Sequence, residues 1–251
     1  LTWWEHLNSN GTSWAVHVIE DFNGDVGANR VAVQDLNGDG SPDLLGAFES
    51  SGIYCWDNVG HGAGWVRRHI KSIDNATSVC TEDMDNDGNV DVLAGARSLN
   101  GSVMWCESLN GSGTNWTTRI IQPQRIYTED CCAVDVDGDG DLDVVGAMSS
   151  PWGITWWENV DGRAETWTNH NVLSMDEGMF RVSACDVDGD GDVDLIGASL
   201  YYDFVAWWEN ENGQGLTWNR HLLNGNMAQV QWVGAADIDG DGDKDILAAS
   251  G

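Results

Sequence analysis

The sequence predicts an all-β fold: a five-bladed β-propeller with four strands per blade and one blade closed by both termini. Three observations carry this. An Asp-rich nonapeptide recurs five times at a period near 50 residues, and a Trp-bearing segment recurs in step with it. No segment shows a sustained 3.6-residue apolar period, which leaves almost no helix. A period of this length marks a propeller, solenoid or array, and four short strands per unit make a propeller blade.

The nonapeptide is clearest as Asp135-Val-Asp-Gly-Asp-Gly-Asp-Leu-Asp143, and it returns at Asp186–Asp194 and Asp237–Asp245. Looser copies run from Asp35 to Asp43 and from Asp83 to Asp91, so successive starts lie 48, 52, 51 and 51 residues apart. The second element reads Thr155-Trp-Trp-Glu-Asn159 and Ala206-Trp-Trp-Glu-Asn210, with variants at Trp3-Trp4-Glu5, Cys55-Trp56-Asp57-Asn58 and Trp105-Cys106-Glu107. The third is a Trp followed by a basic residue, at Trp14–His17, Trp65–His69, Trp116–Arg119, Trp167–His170 and Trp218–His221.

In the unit around Asp135, Cys131–Val134 enters the Asp loop and Val144–Met148 leaves it. Ile154–Val160 carries the Trp pair, and Trp167–Leu173 is the last strand. Turns rich in Gly, Asn, Asp and Ser separate the four. The repeat units are 29–77, 78–128, 129–179, 180–229, and 230–251 joined with 1–20, in a single domain spanning 1–251. The chain begins in a third strand, Leu1–Glu5, and a fourth, Trp14–Ile19. It ends in a second strand, Ile246–Gly251. Pairing Trp3–His6 with Ile246–Ala249 would remove two exposed strand edges and close the ring. The competing geometry joins these half-blades between molecules.

Composition agrees. Fifteen Trp stand against four Phe and four Tyr, as expected if one Trp-bearing pattern has been copied, and 31 Gly with three Pro suit many short strands with Gly turns. The net charge of −30 argues against nucleic acid, whose phosphates need a basic surface. No run of 18 apolar residues exists, so no membrane span is expected. No signal peptide is present and the chain starts at Leu1, which reads as a processed segment. Sequons occur at Asn10, Asn75, Asn100, Asn110 and Asn115. Asn-Gly-Ser/Thr is also ordinary turn chemistry, so glycosylation stays open.

Positions 1, 3, 5 and 9 of the nonapeptide are Asp or Asn, and position 6 is always Gly. Calcium takes six to eight hard oxygens, and alternating carboxylates on a tightly turning backbone can converge on one ion, with position 7 giving its carbonyl. The expected ligand sets are Asp35, Asn37, Asp39, Ser41 and Asp43; Asp83, Asp85, Asp87, Asn89 and Asp91; Asp135, Asp137, Asp139, Asp141 and Asp143; Asp186, Asp188, Asp190, Asp192 and Asp194; and Asp237, Asp239, Asp241, Asp243 and Asp245. Five calcium ions are expected. An EF-hand needs a bidentate Glu at position 12, where this chain has Gly46, Ala94, Gly146, Gly197 and Ala248. Zinc is disfavoured because the loops hold no Cys or His. A metal-free acidic turn would repel itself five times over.

The loop Asp-x-Asp-x-Asp-Gly-x-x-Asp, with Gly-Ala shortly after it, resembles the FG-GAP/VCBS repeats, the blades of integrin-α-like propellers and of many secreted bacterial and algal proteins. The resemblance covers essentially the whole chain. It implies calcium in the hairpin between the first and second strands of each blade, and ligands on the opposite face. Such propellers more often have six to eight blades, so the count of five rests on this sequence alone.

Adjacent Trp residues on one strand point to opposite faces, so the pairs are expected to fill the interfaces between blades rather than stack on sugars. Trp152, Phe180, Tyr201 and Tyr202 break the repeat and are candidate ligand contacts, as are Arg30, Asp130, Arg181, Gln231 and Trp232, placed just before the inner strands. Four of the six His hold one place in the repeat and read as packing residues. The similar spacings Cys55–Cys80 and Cys106–Cys132 permit two disulfides. Small buried fillers are the equal alternative, since corresponding places hold Ala32, Ser183 and Gly234. No catalytic constellation stands out. The expected function is a secreted, non-catalytic binding or adhesion module held rigid by calcium, with an extracellular protein, a glycan or copies of itself as partner. A structural subunit of an extracellular fibre or sheath, and a lectin or polysaccharide-active protein, are the alternatives.

Overall fold

In a computed structural model of the chain, residues 1–22, 27–98, 102–123, 127–150, 152–172 and 178–251 are described, excepting the side chains of Ser150 and Trp152. The described residues form 20 strands and no helix. Four sheets are four-stranded, antiparallel and ordered as in the chain. The first contains β3 (Ala28–Gln34), β4 (Asp43–Phe48), β5 (Gly52–Val59) and β6 (Gly64–Lys71). The second contains β7 (Ala76–Glu82), β8 (Asp91–Ala96), β9 (Val103–Ser108) and β10 (Trp116–Gln122). The third contains β11 (Tyr127–Val134), β12 (Asp143–Ser150), β13 (Trp152–Asn159) and β14 (Trp167–Asn171). The fourth contains β15 (Arg181–Cys185), β16 (Asp194–Ser199), β17 (Phe204–Asn210) and β18 (Trp218–Asn224). Two further sheets are two-stranded: β1 (Thr2–His6) with β2 (Trp14–Val18), and β19 (Val230–Ala236) with β20 (Asp245–Ser250).

The core lies between sheets. One apolar cluster joins Leu45, Ile53 and Cys55 of the first sheet to Val79, Val92 and Met104 of the second. Others join the second to the third, the third to the fourth, and the fourth to β19–β20. The Trp pairs do what alternation on a strand requires. Trp157 packs back onto the second sheet and Trp156 forward onto the fourth. The Gly of the Gly-Ala motif is explained by the same packing. A Cβ on Gly146 or Gly197 would stand 2.9 or 2.8 Å from the indole of Trp157 or Trp208 on the adjacent strand.

A buried Asn bolts neighbouring sheets together. Asn210 Nδ2 donates to Val193 O in its own sheet and to Val136 O in the preceding one, while its Oδ1 accepts the Gly215 N–H. Asn159 repeats this with Leu142, Met84 and Ala164. The forward-facing Trp156 is also held: its Nε1 donates to Gly215 O.

Three expectations are narrowed. The pairing of Trp3–His6 with Ile246–Ala249 is not made: β1 bonds only to β2, and β20 only to β19. Each hairpin is docked on its own neighbour instead, Trp3 against Gly62 and Val233 in the cluster with Ile196. Among the described residues no strand pairing closes a ring, and Trp4, Val16 and Val18 stay exposed where Trp157 and Trp208 are buried. Second, all six cysteines are free thiols, serving as the small fillers of the alternative reading. Third, His69 does not share the place of His17, His170 and His221. Those three oppose Trp3, Trp156 and Trp207, whereas Arg68 opposes Cys55 and His69 is one residue further on. His17, His170 and His221 stack on those indoles at 4.3–4.5 Å and meet Glu5, Glu158 and Glu209 at 2.7–2.9 Å.

Candidate metal centres

Each Asp-rich loop is the hairpin between the first and second strands of a unit. Position 9 opens the second strand, as Asp43, Asp91, Asp143, Asp194 and Asp245 open β4, β8, β12, β16 and β20. The turn needs left-handed backbone at two places. Position 6 is Gly throughout, with φ of 83° to 101°. Position 4 is Gly38, Asn86, Gly138, Gly189 or Gly240, with φ of 58° to 81°. Gly and Asn adopt this region at least cost. The demand at position 4 escaped the sequence reading, although the residue types there signal it.

The carboxylates first organise the loop itself. Asp135 accepts the N–H of Gly138 on Oδ1 and of Gly140 on Oδ2, Asp137 that of Asp139, and Asp139 that of Asp141. The copies at Asp186 and Asp237 repeat the set. Asp35 also accepts from Gly38 and Gly40, and Asp83 accepts from Asp87 and Gly88. Position 9 is a bracket. Asp143 takes the Val136 N–H on one oxygen and the Asn159 N–H, from the third strand, on the other. Asp43, Asp91 and Asp194 do the same with Leu36 and Asn58, Met84 and Ser108, and Val187 and Asn210. In the last loop, Asp245 accepts from Ile238 and, among the described residues, has no third-strand donor.

Carboxylate oxygens from positions 1, 3 and 9 converge. In the groups Asp83/Asp85/Asp91, Asp135/Asp137/Asp143, Asp186/Asp188/Asp194 and Asp237/Asp239/Asp245, the ligand atoms lie within 4.8 Å of one another. Two oxygens each about 2.3–2.6 Å from one calcium ion can be at most about 5 Å apart, so this spacing suits the ion, and the all-oxygen donor set suits a hard cation. In the first loop Asn37 stands at position 3, between Asp35 and Asp43. Position 5, at Asp39, Asp87, Asp139, Asp190 and Asp241, is outside these convergent groups. The side chains at position 7 turn elsewhere. Asp141 and Asp192 lie against Gly162 and Gly213, Asn89 against Gly111, and Ser41 meets His61 at 3.3 Å. At Ser41, Asn89, Asp141 and Asp192 the carbonyl is thus the group left for a cation.

Gathering carboxylates with nothing between them has an electrostatic cost. Burial, opposed by the two N–H donors, raises Asp91 and Asp143 to about 7, and raises Asp43 and Asp194 in the same direction. Burial and then the neighbouring position-5 or backbone groups act on Asp85, Asp137 and Asp188, which are also raised.

The other candidates are dispersed. Tyr201 and Tyr202 are exposed on the turn between β16 and β17, and Phe180 lies under the Arg181 guanidinium at 4.1 Å. Trp152 opens β13, and its side chain lies outside the described residues. Arg30, Asp130, Arg181, Gln231 and Trp232 sit within the inner strands β3, β11, β15 and β19 rather than before them. Asn10, Asn110 and Asn115 are exposed and Asn75 is partly so, while Asn100 falls outside the described residues. Asn10 and Asn110 accept bonds from Thr12 and Ser112 of their own sequons.

A family model described as FG-GAP-like repeat matches residues 35–94, 83–146, 135–197 and 186–248. Each match runs from the first Asp of one loop to three residues past the ninth position of the next. No curated protein matches the chain. Among solved structures, the V. cholerae biofilm matrix protein Bap1 is 18% identical over 89% of this chain and 34% of its own, with a TM-score of 0.49. The present chain thus spans about a third of that protein. BBS1N, solved in complex with ARL6DN and soaked with lead, is 13% identical over 96% of this chain and 80% of its own, again with a TM-score of 0.49.

Proposed function

Because the chain belongs to the FG-GAP-like repeat family, we propose that it is an extracellular, non-catalytic binding module whose sheets are locked by calcium. The observation that carries this reading is the convergence of positions 1, 3 and 9 within 4.8 Å in four loops. Bound calcium would neutralise these carboxylates and draw the hairpin and the start of the second strand onto one centre. The chain's own residues supply the rest: position 9 ties the hairpin to the third strand, and the buried Asn ties that strand to the preceding sheet. A rigid scaffold leaves the opposite face free to hold a ligand. In a calcium-buffered secreted preparation, chelation is expected to loosen the fold. A protein that binds no calcium at millimolar concentration would overturn the reading.

The two half-sheets are proposed to complete one another as a fifth blade, closing the ring within one chain. The internal repeat supports this. Val144 opposes Trp157 and Leu195 opposes Trp208, which sets Ile246 opposite Trp4 and Ala248 opposite Thr2. The same superposition sets His6 N–H against Asp245, and Gly11 O against Trp207 Nε1, as Gly215 O meets Trp156. The unpaired edges favour a second reading, in which the half-sheets join between copies and build a fibre. A Thr2→Cys/Ala248→Cys double variant separates them. Peptide mapping should find the new disulfide within one chain. A disulfide between chains favours the fibre, and no disulfide at all contradicts both.

A further inference from the structure

The five inner strands carry one position that does not repeat. Opposite Ala47, Gly95, Ala147, Ala198 and Ala249 stand Arg30, Ser78, Asp130, Arg181 and Trp232. The next residue is apolar in every strand: Val31, Val79, Cys131, Val182 and Val233. That neighbour is buried between sheets at Val79, Cys131, Val182 and Val233, and half-exposed at Val31. Two residues on, the side chains are all small: Ala32, Cys80, Cys132, Ser183 and Gly234. Their size leaves a cavity of about 350 Å³, lined by residues of β3, β11, β15 and β19, including Arg30, Asp130, Ser183 and Trp232. It runs along the inner strands, from Arg30, Asp130 and Trp232 to Val134, Ala184 and Ala235 near the Asp loops.

Three features give this cavity the character of a built site. Trp232 folds over Gly234, where a Cβ would meet the indole at 2.6 Å, and the ring remains 45% exposed. Arg181 fixes the strand beneath it, since its Nε donates to Gln231 O and its Nη1 to Phe180 O and Glu129 O. The Asp130 side chain is only 4% exposed, and its Oδ1 accepts from Ser78 Oγ and from the Cys131 N–H. Its Oδ2 faces the Arg30 guanidinium at 3.7 Å, too far for a hydrogen bond, and no nearer donor reaches it among the described residues.

We propose that this cavity binds one neutral sugar ring, recognised through a pair of adjacent hydroxyls. One hydroxyl donates to Asp130 Oδ2, its neighbour accepts from Arg30, and the apolar face of the ring lies on Trp232. The volume falls in the range of small-ligand pockets, and an aromatic wall with a few fixed polar groups is their usual lining. The chain's charge of −30 opposes acidic ligands, which selects a neutral sugar over a uronate. The inference rests on the reading of the chain as an extracellular binding module, and it gives that module a ligand class.

The test is saturation-transfer NMR on the calcium-loaded full chain with glucose, galactose, mannose and N-acetylglucosamine at millimolar concentration. Glucuronate and a cyclohexanol lacking the diol serve as controls. At least one neutral sugar should bind. Trp232→Ala and Arg30→Gln, both at exposed side chains, should each weaken it about tenfold or more, as should loss of the diol. Absence of binding by all four sugars overturns the proposal and assigns the Arg30–Asp130 gap to water. Binding unchanged in both variants, or equal binding of the cyclohexanol, also overturns it. Calcium titration of the same sample keeps the two readings apart. Calcium binding without sugar binding removes only the sugar site, and sugar binding without calcium binding at millimolar concentration removes only the calcium reading.

Discussion

At Asp143 the two carboxylate oxygens satisfy the buried N–H groups of Val136 and Asn159, a role that does not depend on a cation. Among the described residues, Asp139 by contrast accepts only the exposed N–H of Asp141. Asp143→Ala should therefore cost about 2–6 kcal/mol even in chelator, at about 1–3 kcal/mol per stranded donor. Asp139→Ala should cost under about 1 kcal/mol there and act chiefly through calcium. Urea melts of both variants with and without calcium check this. The loops should also differ among themselves. The first has two carboxylates among positions 1, 3 and 9, Asp35 and Asp43, where the other four loops have three each, so it should release calcium first. Titration finding that loop the tightest would contradict the ranking. A pH effect follows from Asp91 and Asp143, raised by burial to about 7 without calcium. Between the ordinary carboxylate range and about 7, the folded stripped chain holds protons that the unfolded chain has lost. Their stabilisation is complete at low pH and disappears as pH rises through 7. The stripped protein should melt higher at pH 5 than at pH 8, with the order reversed in calcium. The convergence of positions 1, 3 and 9 was legible because all three lie within one nonapeptide. The bracket at position 9 was not, since its second donor is 15 to 17 residues off.

The strands and their order could be read from the repeat, and the Trp pairs from alternation. Trp156 fills the gap to the fourth sheet, and truncating such a side chain costs about 3–5 kcal/mol. Trp156→Ala should fall in that range by denaturant melt. Gly197→Ala should also destabilise, by about 1–3 kcal/mol, because the added methyl meets Trp208 at 2.8 Å and Met179 at 2.4 Å. Sequence spacing did not reveal the Asn bolts, whose acceptors Met84 and Val136 lie 75 and 74 residues from Asn159 and Asn210. It also misplaced His69, because one extra residue between Trp65 and that histidine shifts the register. The cysteines were ambiguous in sequence because a small buried filler and a disulfide partner share one residue type.

For the whole molecule, charge decides. By side-chain count the five loops hold 22 of the 41 acidic residues, and the chain carries −30. A compact body so charged repels itself, and cations that bind only the folded state stabilise it by mass action, about 2.7 kcal/mol per site at a hundred times the dissociation constant. Repulsion is screened by salt, so the calcium effect should be largest at low ionic strength. Closure is the part least legible at this scale: the repeat shows that the half-sheets are complementary but not whether one chain or two supply them. The most direct measurement is the calorimetric melt of the stripped chain at low ionic strength as calcium is restored. The account predicts a melting temperature that climbs steeply with calcium, and climbs less in high salt. A melt unchanged between exhaustive chelation and saturating calcium would contradict it.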